Sequence, residues 1–368
     1  MCNTSEKCLY LDLQYKKDLK KIEDDIQAID LLEDNMDGLI VIDEIQLRPN
    51  LFPTLRVLGD RISHSRDENH KITHLGRFLI LGSAEPILLR QTTESLPGRI
   101  GYRRLSTFLV TEIPNCDMQR YFFRGAFPDS YLAESDDDSL AWEKDYIFQF
   151  LHRDFQGWWK FNTDSLESLW KALVAVNGQE TNLKKILSSL QITKTDAQAC
   201  IKLLLGLYLI DSIPPYTKNS LKWMIKTPKI YVTDSGLVAN GLNIKSYNEI
   251  KSQTNSKVYG AMWEQIVLNH LRAWYPRSNG ENIFFYRDED QNEIDFILDD
   301  GRKLIAIECK TSPSAHLSSG AYRAMEKLGI PEDFAFTVVP FQGADTSSTV
   351  TLPELRQKID EILNAPIV

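Results

Sequence analysis

The segment that most constrains the fold is a run of four apolar residues followed directly by two acids. Residues 39–44 read Leu-Ile-Val-Ile-Asp-Glu. A run that is apolar at every position is expected for a central strand of a parallel sheet, because both faces of such a strand are covered. Asp43 and Glu44 then stand at the carboxyl end of the strand, where open α/β sheets bind their ligands. The sequence therefore predicts a parallel sheet with a ligand site at these two acids.

Three further segments in the first part of the chain have the composition of strands. They are residues 9–13, 78–82 and 102–108. A charged helical stretch, residues 18–32, separates the first of them from the acid-terminated strand. Strands that alternate with helical or polar segments indicate an α/β domain with a mostly parallel sheet.

Composition limits the class of protein and the kind of partner. The chain has 368 residues, enough for two or three domains at roughly 150 residues each. With 42 basic and 51 acidic residues the net charge is −9, so any contact with nucleic acid requires a local basic patch. The longest apolar stretch, residues 201–210, is about half a membrane span, and no secretion signal opens the sequence. Five scattered cysteines without a C-x-x-C pair fit a reducing compartment, so we expect a cytoplasmic protein without membrane contact.

The two acids have the chemistry of a nucleotide site. In P-loop ATPases the first acid of such a pair holds Mg²⁺, usually through water, and the second orients the water that attacks the γ-phosphate. Ser83 follows another apolar strand and could bond a phosphate or a positioned water. Arg99 precedes the next predicted strand and could stabilise charge in the transition state. The alternative is a strand that merely ends in two solvated acids.

Four segments together carry a resemblance to a known family. They read Asp-Glu-Ile-Gln-Leu-Arg-Pro at 43–49, Leu-Phe-Pro at 51–53, Leu-Gly-Ser-Ala at 81–84 and Gly-Arg at 98–99. The chain resembles prokaryotic AAA-type ATPases that carry a C-terminal restriction-endonuclease-like domain of unknown function. This resemblance implies Walker B roles for Asp43 and Glu44, a sensor 1 role for Ser83 and a finger role for Arg99. It also implies ATP bound at Asp43 and Ser83, Mg²⁺ held at Asp43, ATP-coupled work on DNA, and homo-oligomeric rings.

One family element is absent from the sequence. A Walker A loop should precede the strand at 9–13, yet no Gly-Lys dipeptide occurs in the 368 residues. Without the loop's N–H groups and lysine the phosphates lack their cradle, so we expect impaired ATP binding. A start codon assigned too late, a split gene and a degenerate paralogue stay open, and the DNA upstream of the Met1 codon would separate them. The absent strand would pair beside residues 78–82. Without it we expect an exposed apolar sheet edge there and aggregation of the protein.

The middle of the chain has the element order of a winged helix. Predicted helices at 164–177, 183–190 and 193–205 precede strands at 208–213 and 230–233. The segment between the two strands carries basic residues with no acid among them, namely Lys218, Lys222, Lys226 and Lys229. Such a wing could contact the DNA backbone. The alternative is an interdomain scaffold with a solvated basic loop.

A second set of charged residues lies on the last predicted α/β unit. Glu264 is on a helix, Asp295 is on one strand, and Glu308 and Lys310 are on the next. Side chains alternate along a strand, so Glu308 and Lys310 share a face, and Asp295 can meet Glu308 at one end of the sheet. Two carboxylates can hold a divalent ion while the lysine orients water.

This D-x(12)-E-x-K pattern resembles the PD-(D/E)xK nuclease core, with Glu264 as the acid on the helix. The resemblance implies metal ligands at Glu264, Asp295 and Glu308 and a catalytic role for Lys310. Two alternatives stay open: an ordinary strand pair with half-exposed charges, and a nuclease-like fold that persists without cleavage. Nearby, His270 is expected to be structural or exposed, and Cys309 is expected in the core.

The expected architecture is α/β in three parts: a truncated P-loop AAA-type parallel sheet, a winged helix and a PD-(D/E)xK restriction-endonuclease-like domain. The predicted boundaries are 1–133 for the truncated AAA-type core, 134–163 for a linker and helix, 164–235 for the winged helix and 247–368 for the endonuclease-like domain. The expected function is that of an AAA-type ATPase family member, DNA-linked in its complete form and impaired in this chain. The alternatives are a Mg²⁺-dependent nuclease and a non-catalytic DNA or protein interaction module.

Overall fold

The chain divides into two compact units, Met1–Arg103 and Arg104–Val368. The computed structural model describes residues 7–63, 78–82, 101, 103–152, 163–180, 183–190, 192–217, 227–276, 281–341 and 348–365. The predicted boundary between residues 133 and 134 lies inside the second unit. The predicted winged helix and the predicted endonuclease-like domain also lie within that unit.

The first unit is built on a parallel sheet. Its elements are β1 (Cys8–Asp12), α1 (Lys16–Lys21), α2 (Asp25–Glu33), β2 (Leu39–Asp43), α3 (Phe52–Ser63) and β3 (Phe78–Ile80). The strand order is β1-β2-β3, and both pairings are parallel. The apolar strand that ends in the two acids is therefore central among the described strands, and the prediction of a parallel α/β sheet is confirmed.

The two faces of this sheet differ in burial. Leu11 and Ile42 on one face pack with Leu55 of α3 in a continuous apolar core. On the other face Val41 is buried, but its neighbours in register, Tyr10 and Leu79, are exposed by 43% and 46%. The central strand is therefore covered on both faces, as its sequence predicts, whereas Tyr10 and Leu79 on the neighbouring strands are exposed on the second face.

The strand predicted at residues 102–108 is wrong for the residues described there. Residues 103–108 form no strand, because Phe108 uses its backbone groups elsewhere: its N–H donates to Ala126 and its carbonyl accepts from Tyr121. The stretch 18–32 is helical as predicted, with a break between α1 and α2. The break falls where the Asp24 side chain accepts from two backbone N–H groups and starts α2 as its N-cap.

The second unit begins with helices and a hairpin. Its elements are α4 (Met118–Arg124), α5 (Pro128–Tyr131), α6 (Asp136–His152), α7 (Thr163–Ala175), α8 (Leu183–Leu190), α9 (Lys194–Gly206), β4 (Ile210–Ile213), β5 (Lys229–Val232), α10 (Ser235–Gly241) and α11 (Tyr247–Ile250). Strands β4 and β5 pair antiparallel. The acids at 136–138, expected in a linker, form the first turn of α6, where carboxylates favour the helix dipole.

A mixed sheet follows. Its elements are α12 (Ser256–Trp274), β6 (Ile283–Arg287), β7 (Glu293–Asp299), β8 (Leu304–Cys309), α13 (Ser319–Leu328), β9 (Ala335–Val338), β10 (Thr349–Val350) and α14 (Leu352–Asn364). The strand order is β10-β9-β8-β7-β6. Strands β6, β7 and β8 pair antiparallel, whereas β8, β9 and β10 pair parallel.

A register shift in β7 decides which of its side chains enter the core. Phe284 pairs with Ile297 and Tyr286 pairs with Ile294, so Phe285 faces two residues of β7. One of those two is Asp295. The extra residue lets Ile294 and Ile297 both join the apolar core with α13, although they are an odd number of positions apart.

A buried polar cluster joins the helices of the second unit. Asp234, the N-cap of α10, accepts from the backbone N–H groups of Ala126 and Gly236. Glu143 of α6 lies beside Ser130, with its Oε1 3.0 Å from the serine Oγ. Gly125 must lack a side chain, because a Cβ there would overlap the Asp234 carboxylate.

Within the parts of the chain that the structure describes, no helix has the length and apolar character needed to cross a bilayer.

Candidate functional site

The acid pair Asp43–Glu44 lies at the carboxyl end of the parallel sheet. Asp43 is the last residue of β2, and Glu44 takes a left-handed conformation with φ 55° as the chain turns away. The segment after β3 runs beside this turn, since the Leu81 N–H donates to Ile42 and the Ile45 N–H donates to Leu81. The two strand ends thus meet at one edge, as parallel pairing requires.

Both acids are oriented by neighbouring side chains and backbone. The Tyr10 hydroxyl donates to Oδ2 of Asp43 at 2.8 Å, and the Glu44 N–H donates to Oδ1 at 2.9 Å. The hydrogen bond to Asp43, with some burial and nearby acids, raises the pKa of Tyr10 above its usual value. Gln46 donates to Oε2 of Glu44. An ionised carboxylate offers about four acceptor positions, so Asp43 retains capacity for a hydrated Mg²⁺.

Several predicted site residues fall outside the described residues. These are Ser83, Arg99, Lys218, Lys222 and Lys226. Gly82, directly before Ser83, lies against the turn after the acids, because a Cβ on it would stand 2.8 Å from Oε1 of Gln46. The roles assigned to these five residues stay predictions.

The second group of charged residues is centred on Lys229 at the start of β5. Its side chain is 4% exposed, and Nζ lies 2.8 Å from Oε1 of Glu293 and 3.7 Å from Oε2 of Glu264. Burial alone would lower the pKa of Lys229, but Glu264, Asp295 and Glu293 together outweigh it and raise the pKa. The expectation that Lys229 belongs to a solvated basic wing is therefore wrong.

The acids around Lys229 are unlike ordinary surface carboxylates. The Tyr231 hydroxyl donates to Oε2 of Glu264 at 2.7 Å, and Tyr231 itself is fully buried. Burial raises the pKa of Glu264. Burial, and then the charge of Glu264, raises the pKa of Asp295 to about 7. Glu293 differs, because Lys229 and Arg287 overcome its burial and lower its pKa.

Glu308 of β8 and Lys310, which directly follows the strand, have the contact that alternation predicts. Lys310 Nζ lies 2.7 Å from Oε1 of Glu308, and the Ser318 N–H donates to Oε2 of the same carboxylate. On the neighbouring strand, Oδ2 of Asp295 accepts from the Cys309 N–H at 2.8 Å. The ends of β7 and β8 are therefore joined at Asp295.

The group centred on Lys229 includes carboxylates that could bind a metal ion and an ammonium group that would repel one. Across the described ranges, no set of three or more His, Cys, Asp or Glu side chains is arranged to hold a metal ion. The Lys229 ammonium lies between the carboxylates of Glu264 and Glu293. Its positive charge would repel a metal ion bound to the same carboxylates. The ammonium therefore disfavours a divalent ion at Glu264. The metal predicted at Glu264, Asp295 and Glu308 stays a prediction.

Sequence reasoning missed Lys229 and Tyr231 as members of this group. Their spacing of two on β5 places both side chains on one face of the strand, which was a readable signal. Their partners on α12 and β7 lie far along the chain, so no local pattern connected them.

Comparison with protein families divides the chain into three matched segments. Residues 1–114 match the AAA domain. Residues 115–248 match a domain of unknown function, DUF8612. Residues 259–349 match a second domain of unknown function, DUF4143. No solved structure matches the chain.

Two curated relatives are similar over most of the chain. They are uncharacterised proteins of Mycobacterium tuberculosis and of Mycobacterium bovis. Each is 30% identical over 318 residues, which cover 86% of this chain and 68% of the relative.

Proposed function

The chain belongs to the AAA-type ATPase family, and from that premise we propose that Asp43 and Glu44 are its Walker B pair. The observation that carries this proposal is their position. Both acids follow the central strand of a parallel sheet, at the edge where β2 and β3 end together. Ser83 serves as the sensor 1 residue and Arg99 as the finger in this proposal.

The two acids have separate tasks. When bound, ATP would supply the phosphoryl group that reacts, and its Mg²⁺ would neutralise negative charge on the phosphate oxygens. Asp43 would hold the hydrated metal ion, and the Tyr10 hydroxyl keeps the Asp43 carboxylate in one orientation. Glu44 would orient a water for attack on the γ-phosphate, and Gln46 holds the Glu44 carboxylate.

Nucleotide binding by these 368 residues is proposed to be impaired. No Gly-Lys dipeptide occurs in them, so they do not supply the lysine of a Walker A loop. A single carboxylate that holds a hydrated metal contributes much less to affinity than a loop of N–H donors around the phosphates. In a family member that has a Walker A loop the corresponding acids would act on tightly bound ATP, with homo-oligomers as the working state.

Fluorescent mant-ATP titrated into the chain with Mg²⁺ tests this proposal. We expect weak binding that Asp43→Asn abolishes, because the metal loses its carboxylate. Asp30→Asn on the exposed side of α2 is the matched control and should bind as the parent does. Equal binding by Asp43→Asn and the parent would contradict the Walker B assignment, and rapid ATP turnover by the parent would contradict the impairment.

A link to DNA is proposed through the hairpin of the second unit. Three helices, α7, α8 and α9, precede the antiparallel pair β4–β5, which is the element order of a winged helix. The segment between the two strands carries Lys218, Lys222 and Lys226. These lysines contact phosphates in this proposal and do not read bases.

The salt dependence of duplex binding tests the wing. Replacing Lys218, Lys222 and Lys226 by alanine should reduce the slope of log K against log salt by about one per lost contact. Alanine at Lys16, Lys17 and Lys20 of the first unit removes the same charge elsewhere and should leave the slope unchanged. An unchanged slope in the wing variant would refute DNA contact there.

The C-terminal part is proposed to have a restriction-endonuclease-like fold without cleavage activity. Support comes from the order helix α12, antiparallel β6–β7–β8, helix α13 and parallel β9, with Glu308 and Lys310 in contact. The alternative is a Mg²⁺-dependent nuclease that acts without nucleotide. Plasmid DNA incubated with Mg²⁺ or Mn²⁺ should stay intact. Cleavage that Lys310→Ala removes would favour the alternative.

A further inference from the structure

We infer that Lys229 is a built-in counter-ion that replaces a divalent metal in the acidic group formed by Glu264, Glu293 and Asp295. The inference rests on the proposed restriction-endonuclease-like fold of residues 247–368. It deepens that proposal by naming the residue that closes the site to metal.

The position of the ammonium carries the argument. Lys229 Nζ makes an ion pair with Glu293 at 2.8 Å and lies 3.7 Å from Glu264, with almost no exposure to solvent. The backbone of Lys229 is fixed on β5, where it pairs with Ile213 of β4. The ring of Phe285 lies 5.4 Å from Nζ and adds a favourable face for the cation. A buried side chain held from these sides cannot leave the acids by a change of rotamer alone.

Each acid of the group already has a donor from the protein. Glu264 accepts from Tyr231, Glu293 pairs with Arg287 at 2.6 Å, and Asp295 accepts from Cys309. Outside the group, Glu308 pairs with Lys310. A divalent ion would have to displace these donors and also stand within a few ångströms of the Lys229 charge, which is strongly unfavourable in a poorly solvated site.

Mn²⁺ binding, followed by electron paramagnetic resonance of the free ion, tests the inference on the full chain. The wild-type chain should show no Mn²⁺ binding that depends on Glu264, so wild type and Glu264→Gln should give the same titration. Lys229→Met keeps the length of the side chain and removes its charge. It should bind Mn²⁺ at least about tenfold more tightly than wild type, because a neighbouring cation no longer opposes the metal. Adding Glu264→Gln to Lys229→Met should abolish that gain.

Three outcomes would overturn the inference. The first is Mn²⁺ binding by wild type that Glu264→Gln removes. The second is a Lys229→Met chain that folds, by circular dichroism and melting, without a gain in Mn²⁺ binding. The third is a Lys229→Arg chain, which keeps the positive charge, that gains as much Mn²⁺ affinity as is expected for Lys229→Met. This variant also tests the inference if Lys229→Met fails to fold. DNA cleavage is not a readout here, so failure of this inference stays distinct from failure of the proposed function.

Discussion

The hydroxyl of Tyr10 donates a hydrogen bond of 2.8 Å to Oδ2 of Asp43, across neighbouring strands of the parallel sheet. The hydrogen bond and the negative charge of Asp43 both raise the pKa of Tyr10. Asp43→Asn removes the charge and should lower the pKa of Tyr10 toward that of a free tyrosine. Titration of the ¹³Cζ tyrosine resonances by NMR measures this shift, and the Tyr15 resonance is the internal control. A Tyr10 pKa that does not move would show that the pair is not formed in solution.

The fold of the first unit could be predicted from the sequence because the patterns that indicate it are local. The run 39–42 is apolar at every position, which predicts a buried central strand, and the acids follow it without a gap. Exposure of Tyr10 and Leu79 could not be predicted, because it depends on which segments cover the second face of the sheet. The strand predicted at 102–108 is not formed over residues 103–108, where the backbone of Phe108 bonds to the Ala126 carbonyl and the Tyr121 hydroxyl, two groups that no local sequence pattern indicates.

Only part of the charged group in the second unit could be predicted from the sequence. Alternation along an extended segment predicts the contact of Glu308 with Lys310, since residues two apart share a face, and the contact forms although Lys310 follows the end of β8. The spacing of Lys229 and Tyr231 indicates only a shared face of β5, because the carboxylate partners of Lys229 come from α12 and β7 and its adjacent residues, Pro228 and Ile230, are uncharged. Long-range pairing of this kind is a property of the folded arrangement and not of any sequence window.

Lys229→Ala is expected to destabilise the second unit. Removing one partner of a buried ion pair leaves carboxylates without their counter-charge, which typically costs about 3 kcal/mol or more. Lys327→Ala is the matched control, because that lysine also pairs with two acids but stands half exposed. Urea unfolding followed by circular dichroism measures both variants. A loss in Lys229→Ala no larger than that in the control would contradict a stabilising role for the buried pair.

His270 should make the chain less stable as the pH falls. The ring is fully buried, accepts from the Val110 N–H at 2.9 Å and contacts the Ile266 carbonyl. Burial lowers its pKa to about 4. Below about pH 6.5 the histidine is protonated in the unfolded chain but stays neutral in the folded chain. The free energy of unfolding therefore falls by about 1.4 kcal/mol for each pH unit from there down to about pH 4.

The comparison of two glutamine variants isolates this effect. His270→Gln should show a smaller loss of stability between pH 7 and pH 5 than the parent, measured by chemical denaturation at each pH. His152→Gln, at the exposed end of α6, should follow the parent. If His270→Gln loses as much stability as the parent over this range, the neutral buried imidazole is refuted.

Glu143 should act in the opposite direction, at high pH. Burial, and then the charge of Asp234, raises the pKa of Glu143 to about 9, and its Oε2 has no hydrogen-bond partner in the described part of the chain. Between the normal pKa of about 4.5 and 9 the unfolded chain has released this proton while the folded chain keeps it, so stability falls as the pH rises, by about 1.4 kcal/mol per unit.

Glu143→Gln replaces the protonated acid by a neutral group of the same shape. The variant and the parent should be similarly stable near pH 4.5, and the variant should become the more stable of the two as the pH rises toward 9, because an amide has no proton to retain. Denaturation curves at pH 5 and pH 8 measure the difference, with Glu134→Gln on the exposed surface as the control. A variant whose advantage does not grow with pH would mean that Glu143 is ionised in the folded chain, and the buried cluster would then need a cation to balance Glu143 and Asp234.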